Sequence, residues 1–211
     1  MNKFRLLKAE EIEVKTSDDK ALLGMGYVQL MLYKDARCDM NILDETVGPE
    51  NWKKSYTRNN ANCILSIWDE NKKEWIDKED CGSASGNFDR DKSLASDSFK
   101  RAAVAWGIGR ELYTGPKIYF PTKLAKNVTE ERCADKFDVT EIVYDDRKIK
   151  SVTIRDITSG AVLFYDNTSA KILKNRSDAP PVSVQNATPK QEPPKAPDTG
   201  KVDLENNLPF K

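Results

Sequence analysis

Lys100 and Arg101 stand side by side in the segment Ser98-Phe99-Lys100-Arg101-Ala102-Ala103. On a helix, Phe99, Ala102 and Ala103 belong to one buried stripe, and the two cations project from a neighbouring face. Adjacent Lys and Arg on a rigid helix suit backbone phosphate, the ammonium as a point charge and the guanidinium as a planar fork. Over residues 92–117, the basic side chains Lys92, Lys100, Arg101, Arg110 and Lys117 outnumber Asp97 and Glu111, so positive charge is local here. The same residues also fit a solvated helix face with ordinary ion pairs.

Other chemistry is sparse. The chain has no histidine, which excludes Ser-His-Asp and Cys-His nucleophilic machinery and most catalytic zinc sites. Cys38, Cys63, Cys81 and Cys133 are widely spaced without a CxxC pair, and read as small, partly buried hydrophobes in a reducing cytosol. Asp77, Glu79 and Asp80 raise the alternative of a carboxylate-metal nuclease. Strand alternation, however, puts Glu79 and Asp80 on opposite faces, and no lysine sits at a convincing catalytic spacing. No nucleotide-binding P-loop is present. The expectation is a binding protein that is not an enzyme and carries no cofactor or metal. Trp52, Trp68, Trp75 and Trp106 are candidates for stacking on bases, worth roughly 1–3 kcal/mol each where it occurs. Trp52 and Trp106 read better as core or interface residues, while Trp68 and Trp75 flank a turn and stay open.

The elements that must position these residues can be read from the pattern. Residues 27–33 (YVQLMLY) form a short apolar run suited to a strand. Residues 35–46 place Cys38, Ile42 and Leu43 at helical spacing, and Gly48-Pro49 ends that helix. Alternating aromatic and apolar residues over 52–58, 63–68 and 75–81, separated by polar turns, predict an antiparallel meander. A long helix follows over 92–113, with Leu94, Phe99, Ala102, Ala103, Trp106 and Tyr113 on its buried stripe. Gly107 and Gly109 weaken it by about 1 kcal/mol each and point to a close backbone approach or a bend before Tyr113. Thr114-Gly115-Pro116 stops it. Residues 138–144, 148–154 and 161–165 predict a second small meander. The fold class is therefore α+β, an antiparallel meander packed on a long helix in the order strand, helix, meander, helix.

With 34 basic and 34 acidic residues, bulk charge supplies no attraction to nucleic acid, and any such site must be a local cluster. The N-terminus lacks an apolar h-region, and no apolar run approaches the roughly 18 residues that span a bilayer. A soluble cytosolic protein without membrane partners is expected. Seven of the ten prolines lie beyond residue 170, among Lys, Gln, Ser and Asp, so residues 1–170 read as the folded domain and 171–211 as a disordered tail.

The order GYVQLMLYKDARCDMNILDETVGPENW, then a meander, then DCGSAS and KSLASDSFKRAAVAWGIGRELY, resembles the eukaryotic recombination mediator and its phage relatives, the Sak-type single-strand annealing proteins. It is most similar to phage and bacterial double-strand-break repair proteins of that group, over residues 20–119. The resemblance implies ATP-independent binding of single-stranded DNA and annealing of complementary strands by a ring-shaped homo-oligomer in a bacterial cytoplasm. In it the strand lies in an outer basic groove with its bases exposed, and protomers meet through the sheet and the 106–113 end of the helix. A passive single-stranded-DNA-binding protein is the neighbouring alternative. The family's Lys-Arg pair falls on Lys100 and Arg101, and a groove-lining basic residue of the preceding helix falls on Arg37. A further family arginine falls on Val104, a departure for which Arg110 is the candidate replacement. The end of the tail, with Asp203 and Glu205 before Leu208, Pro209 and Phe210, resembles the acidic tip of bacterial single-stranded-DNA-binding protein. That implies recruitment of host replication or repair proteins, although Lys211 displaces the terminal carboxylate from Phe210.

Overall fold

The computed structural model describes residues 4–83, 89–166 and 170–173. Three strands, β3 (Trp52–Thr57), β4 (Asn62–Asp69) and β5 (Glu74–Cys81), form one antiparallel sheet in the order β3-β4-β5. Its register is set by period-2 alternation. Trp52, Lys54 and Tyr56 stand opposite Ile67, Leu65 and Cys63, which stand opposite Ile76, Lys78 and Asp80, so these nine share one face. The β3–β4 turn runs through Arg58, Asn59 and Asn60, all left-handed, and Asn tolerates this conformation better than most residues.

The long helix α3 (Arg90–Trp106) packs on this sheet. Phe99, Ala102 and Ala103 are fully buried. Phe99 stacks on Trp52 with ring centroids 6.2 Å apart, and Trp106 donates its indole N–H to the Leu65 carbonyl at 2.9 Å. The two tryptophans thus fill the space between helix and sheet. Contact is closest at Gly82, where an added Cβ would lie 2.5 Å from the backbone nitrogen of Ser98.

The helix is shorter than the sequence pattern predicts. It ends at Gly107, whose φ of 101° is left-handed and whose N–H closes onto Ala103 and Val104. Residues Arg110–Thr114 then form a separate 3-10 turn that begins after left-handed Gly109. This break reorients Tyr113, expected on the buried stripe, to the surface, where it is 70 % exposed. The two glycines therefore do more than weaken a helix; they end it.

Ahead of the small sheet come β1 (Glu13–Thr16), α1 (Lys20–Gly24), β2 (Tyr27–Tyr33) and α2 (Ala36–Val47). The Asp35 carboxylate caps α2 by accepting the Arg37 N–H, and left-handed Gly48 ends it. After α3 come β6 (Ile118–Pro121), β7 (Phe137–Asp145), β8 (Lys148–Asp156), β9 (Val162–Asp166) and β10 (Ala170–Leu173). The second meander is not a small sheet of its own. It belongs to a seven-stranded antiparallel sheet in the order β10-β9-β8-β7-β1-β2-β6, which also takes up the first apolar strand, β2. The join is β1, four residues long, which pairs with β2 on one side and with β7 on the other. Its short, charged sequence carries too little apolar signal to be read as a strand. β10 pairs with β9 and extends to Leu173, three residues past the point where the composition changes.

The class is α+β, with a single continuous core. The core runs from Cys63, Leu65 and Ile67 of the small sheet through Phe99, Ala102 and Ala103 of α3 and Ile42 and Leu43 of α2. It continues into the large sheet at Val28, Leu30, Ile118, Phe120, Val139 and Ile154. Cys38, Cys63 and Cys133 are buried free thiols, whereas Cys81 is exposed. Among the described residues, no helix is long and apolar enough to cross a membrane. Because β5 and α3 meet backbone to backbone at Gly82, Gly82→Ala is expected to destabilise the fold by about 1–3 kcal/mol, as overpacking does. A urea midpoint lowered at constant m-value is the readout.

Candidate nucleic-acid interface

The face of α3 opposite its buried stripe opens on a cleft of about 240 Å³. Helical spacing brings Asp97, Lys100, Arg101 and Val104 to it. The end of β2 contributes Leu32, Tyr33 and Lys34, and the turn after α3 contributes Gly109, Leu112 and Tyr113. The lining is mixed, with cations on the helix wall, apolar groups between them and an exposed tyrosine at the rim.

Lys100 is half-buried and forms no ion pair among the described residues. Arg101 is about half exposed. Its Nε donates to Asp80 Oδ1 at 3.2 Å, and the charge of Asp80 is the main reason its pKa rises. Asp97 lines the same wall, but one of its carboxylate oxygens accepts the Ser83 N–H at 2.9 Å and ties the end of β5 to the helix. Glu111, counted from sequence among the opposing charges, is withdrawn into the interior at 2 % exposure, where it accepts the Leu7 N–H at 2.8 Å. Its other oxygen, Oε2, has no hydrogen-bond partner among the described residues. Among the residues that line the cleft, Lys34, Lys100 and Arg101 therefore stand against Asp97 alone.

One of the lining residues, Lys34, belongs to a buried ion pair. Lys34 is 4 % exposed and Asp39 is fully buried, and the Lys34 ammonium donates to both carboxylate oxygens. Burial pushes the Asp39 pKa up to about 6, against the opposing pull of Lys34 and, more weakly, of Lys100. The Lys34 stem passes directly over Gly109. A Cβ there would lie 2.1 Å from Cε and 2.6 Å from Cδ, and the φ of +68° also excludes most side chains.

Of the residues singled out from sequence, Lys100 and Arg101 line the cleft together. Arg37 does not. It sits at the start of α2, 85 % exposed, with its guanidinium 3.1 Å from Asp35. Nor does Arg110. Its guanidinium donates to the Val104 and Ala105 carbonyls at 2.9 Å and caps the C-terminal end of α3, where a cation also meets the negative end of the helix dipole. Arg110 therefore stabilises the helix end and does not stand in for a cation at position 104. Asp203, Glu205, Leu208, Pro209 and Phe210 lie outside the described residues.

Lys34 and Asp39 were missed by the sequence reading, although one signal was present. Asp39 shares the α2 stripe with Ile42 and Leu43, three and four residues on, and a carboxylate at a core position needs a partner. The carboxylates considered for metal chemistry have other occupations. Asp80 faces α3 and binds Arg101, while Glu79 on the opposite face accepts the Asn62 amide at 2.6 Å. Comparison with family models, with curated proteins and with solved structures finds no match to this chain.

The Asp39 shift makes a stability prediction. An ordinary aspartate releases its proton near 3.8, whereas the folded chain holds it to about 6. Between those values the folded state binds more protons, so Asp39 contributes a loss of stability as pH rises from about 4 to 6. Asp39→Asn should remove that component. Urea midpoints taken across this pH window are the check, and an identical pH profile in the variant would count against the shift.

Proposed function

We propose that this chain binds single-stranded DNA through the α3 cleft and anneals complementary strands without ATP. The observation that carries the reading is the pairing of Lys100 and Arg101 on the rigid wall of a cleft with an exposed tyrosine at its rim. Two cations one residue apart on a helix can hold a phosphodiester in register without reading sequence. Tyr113 offers a π-face on which any base can stack. The mixed charged and apolar lining supports a ligand that is anionic along one side and flat and apolar along the other, as a single strand is.

The sequence resemblance to the recombination-mediator and Sak-type annealing proteins points to the same activity. It extends the proposal to a homo-oligomeric ring, to recombination and repair in a phage-infected or bacterial cytoplasm, and to recruitment of host factors by the tail around Phe210. Annealing by such a protein requires no bond chemistry. It needs two strands held extended, with backbones neutralised and bases free to pair. A nuclease is disfavoured by the ion pair that occupies Asp80 and by the placement of Glu79 on the other face of the sheet.

Annealing of two complementary labelled oligonucleotides without nucleotide is the test. Wild-type protein is expected to accelerate it strongly, and Lys100→Ala/Arg101→Ala to lose the acceleration. In the same variant, affinity for all sequences should fall about tenfold or more, because hydrogen bonds to charged groups contribute roughly 1.5–3 kcal/mol each. The log-log salt slope should become shallower by about 1.4, or about 0.7 per single-strand phosphate contact. Binding without acceleration would leave a passive single-strand binder. A folded variant with unchanged affinity and slope would remove the cleft from the site.

A further inference from the structure

We infer that Lys34 is a third phosphate ligand of the cleft, with Asp39 as the positioning residue that holds its ammonium in place. The inference rests on the nucleic-acid reading of the cleft and adds to it a residue from a different element. Lys34 is almost entirely buried, yet it lines the cleft. An ammonium carries three donors. Two are spent on the Asp39 oxygens, and the third has no acceptor among the described residues.

Three further observations support the assignment. The stem is confined by Gly109, itself a cleft residue, at a spacing that leaves no room for any side chain larger than hydrogen. The ammonium is thus fixed from both ends, by glycine along its stem and by carboxylate at its tip. Lys34 and Lys100 line the same cleft from separate elements, the end of β2 and α3. Finally, desolvating two charges is expensive, and apolar side chains of similar volume commonly pack as well or better. Packing alone therefore gives no reason for an ion pair here, whereas a cation in the lining of an anion site does.

The test uses a variant that leaves net charge untouched. Lys34→Met/Asp39→Asn removes one positive and one negative charge, so weaker binding cannot come from the overall field of the protein. Full-length protein is titrated with a labelled oligothymidylate across a range of salt, beside wild type and Lys100→Ala/Arg101→Ala. The double variant should bind about five- to tenfold more weakly, with a salt slope shallower by about 0.7, one phosphate contact. A purely structural pair would leave the slope of the folded variant unchanged. An unchanged slope and affinity, alongside a loss in Lys100→Ala/Arg101→Ala, would overturn the inference while the nucleic-acid reading stood. If wild type bound no oligonucleotide, that reading would fail, and inorganic tripolyphosphate would decide the inference alone. Tripolyphosphate should then raise the unfolding temperature of wild type and not of the double variant; equal rises, or none, overturn it. Should the double variant not fold, Asp39→Asn takes its place. With its ammonium no longer held, Lys34 should lose its contact, so binding should weaken about threefold although a negative charge is gone; unchanged or tighter binding overturns the inference.

Discussion

Phe99, Ala102 and Ala103 are completely buried between the small sheet and α2, and the pitch of a helix turns that burial into a constraint on everything around it. Once this stripe faces inward, Lys100, Arg101 and Val104 must face the cleft, because the helical pitch puts them on the side turned away from it. The two alanines let the helix lie close to the core, and the glycine at position 82 lets β5 follow it backbone to backbone. Trp52 and Trp106 close the remaining space on either side. The cations thus stand on a support that cannot rotate without emptying the core, which is the pre-organisation that an electrostatic site needs.

The other wall is fixed by polar interactions at low exposure. Lys34 leaves the end of β2, crosses Gly109 and reaches Asp39 on α2, so one side chain ties together a strand, a helix and the turn after α3. Buried pairs of this kind contribute little net stability, because desolvation offsets most of their attraction. Their effect is to specify one arrangement. Here the arrangement keeps the end of the large sheet beside the helix that packs on the small one. The cleft opens between the end of β2, α3 and the turn after α3.

The carboxylates around the cleft show how a neutral chain can present a positive surface. Glu111 is drawn inside to the Leu7 amide, Asp39 is covered by Lys34, and Asp97 is committed to Ser83. Asp80 holds Arg101 by a single bond to Nε at a half-exposed site, where an ion pair is weak and readily shared with an incoming anion. Negative charge is thus buried or engaged by hydrogen bonds, while Lys100 has no carboxylate partner among the described residues.

Sequence by itself determined the local elements wherever periodicity is strong. The strands of both meanders, the apolar strand β2, the capped helix α2 and the body of α3 were legible, because apolar residues recur at the spacing of the element and polar turns or Gly-Pro punctuate it. The Lys100–Arg101 pair was legible for the same reason, since its direction follows from the stripe beside it. Tertiary structure decided what depends on distant partners. It joined the second meander to β2 through the four residues of β1, whose pairing energy comes from neighbours on both sides and not from its own composition. It ended α3 at Gly107 and turned Tyr113 outward. It placed Arg110 on the helix end and Arg37 on the outer start of α2. It also brought Lys34 over Gly109 to Asp39, a contact between residues 34 and 109 that no local pattern encodes. Local propensity is written in neighbouring residues, whereas the ion pair and the cleft exist only after loop closure has brought separate segments together.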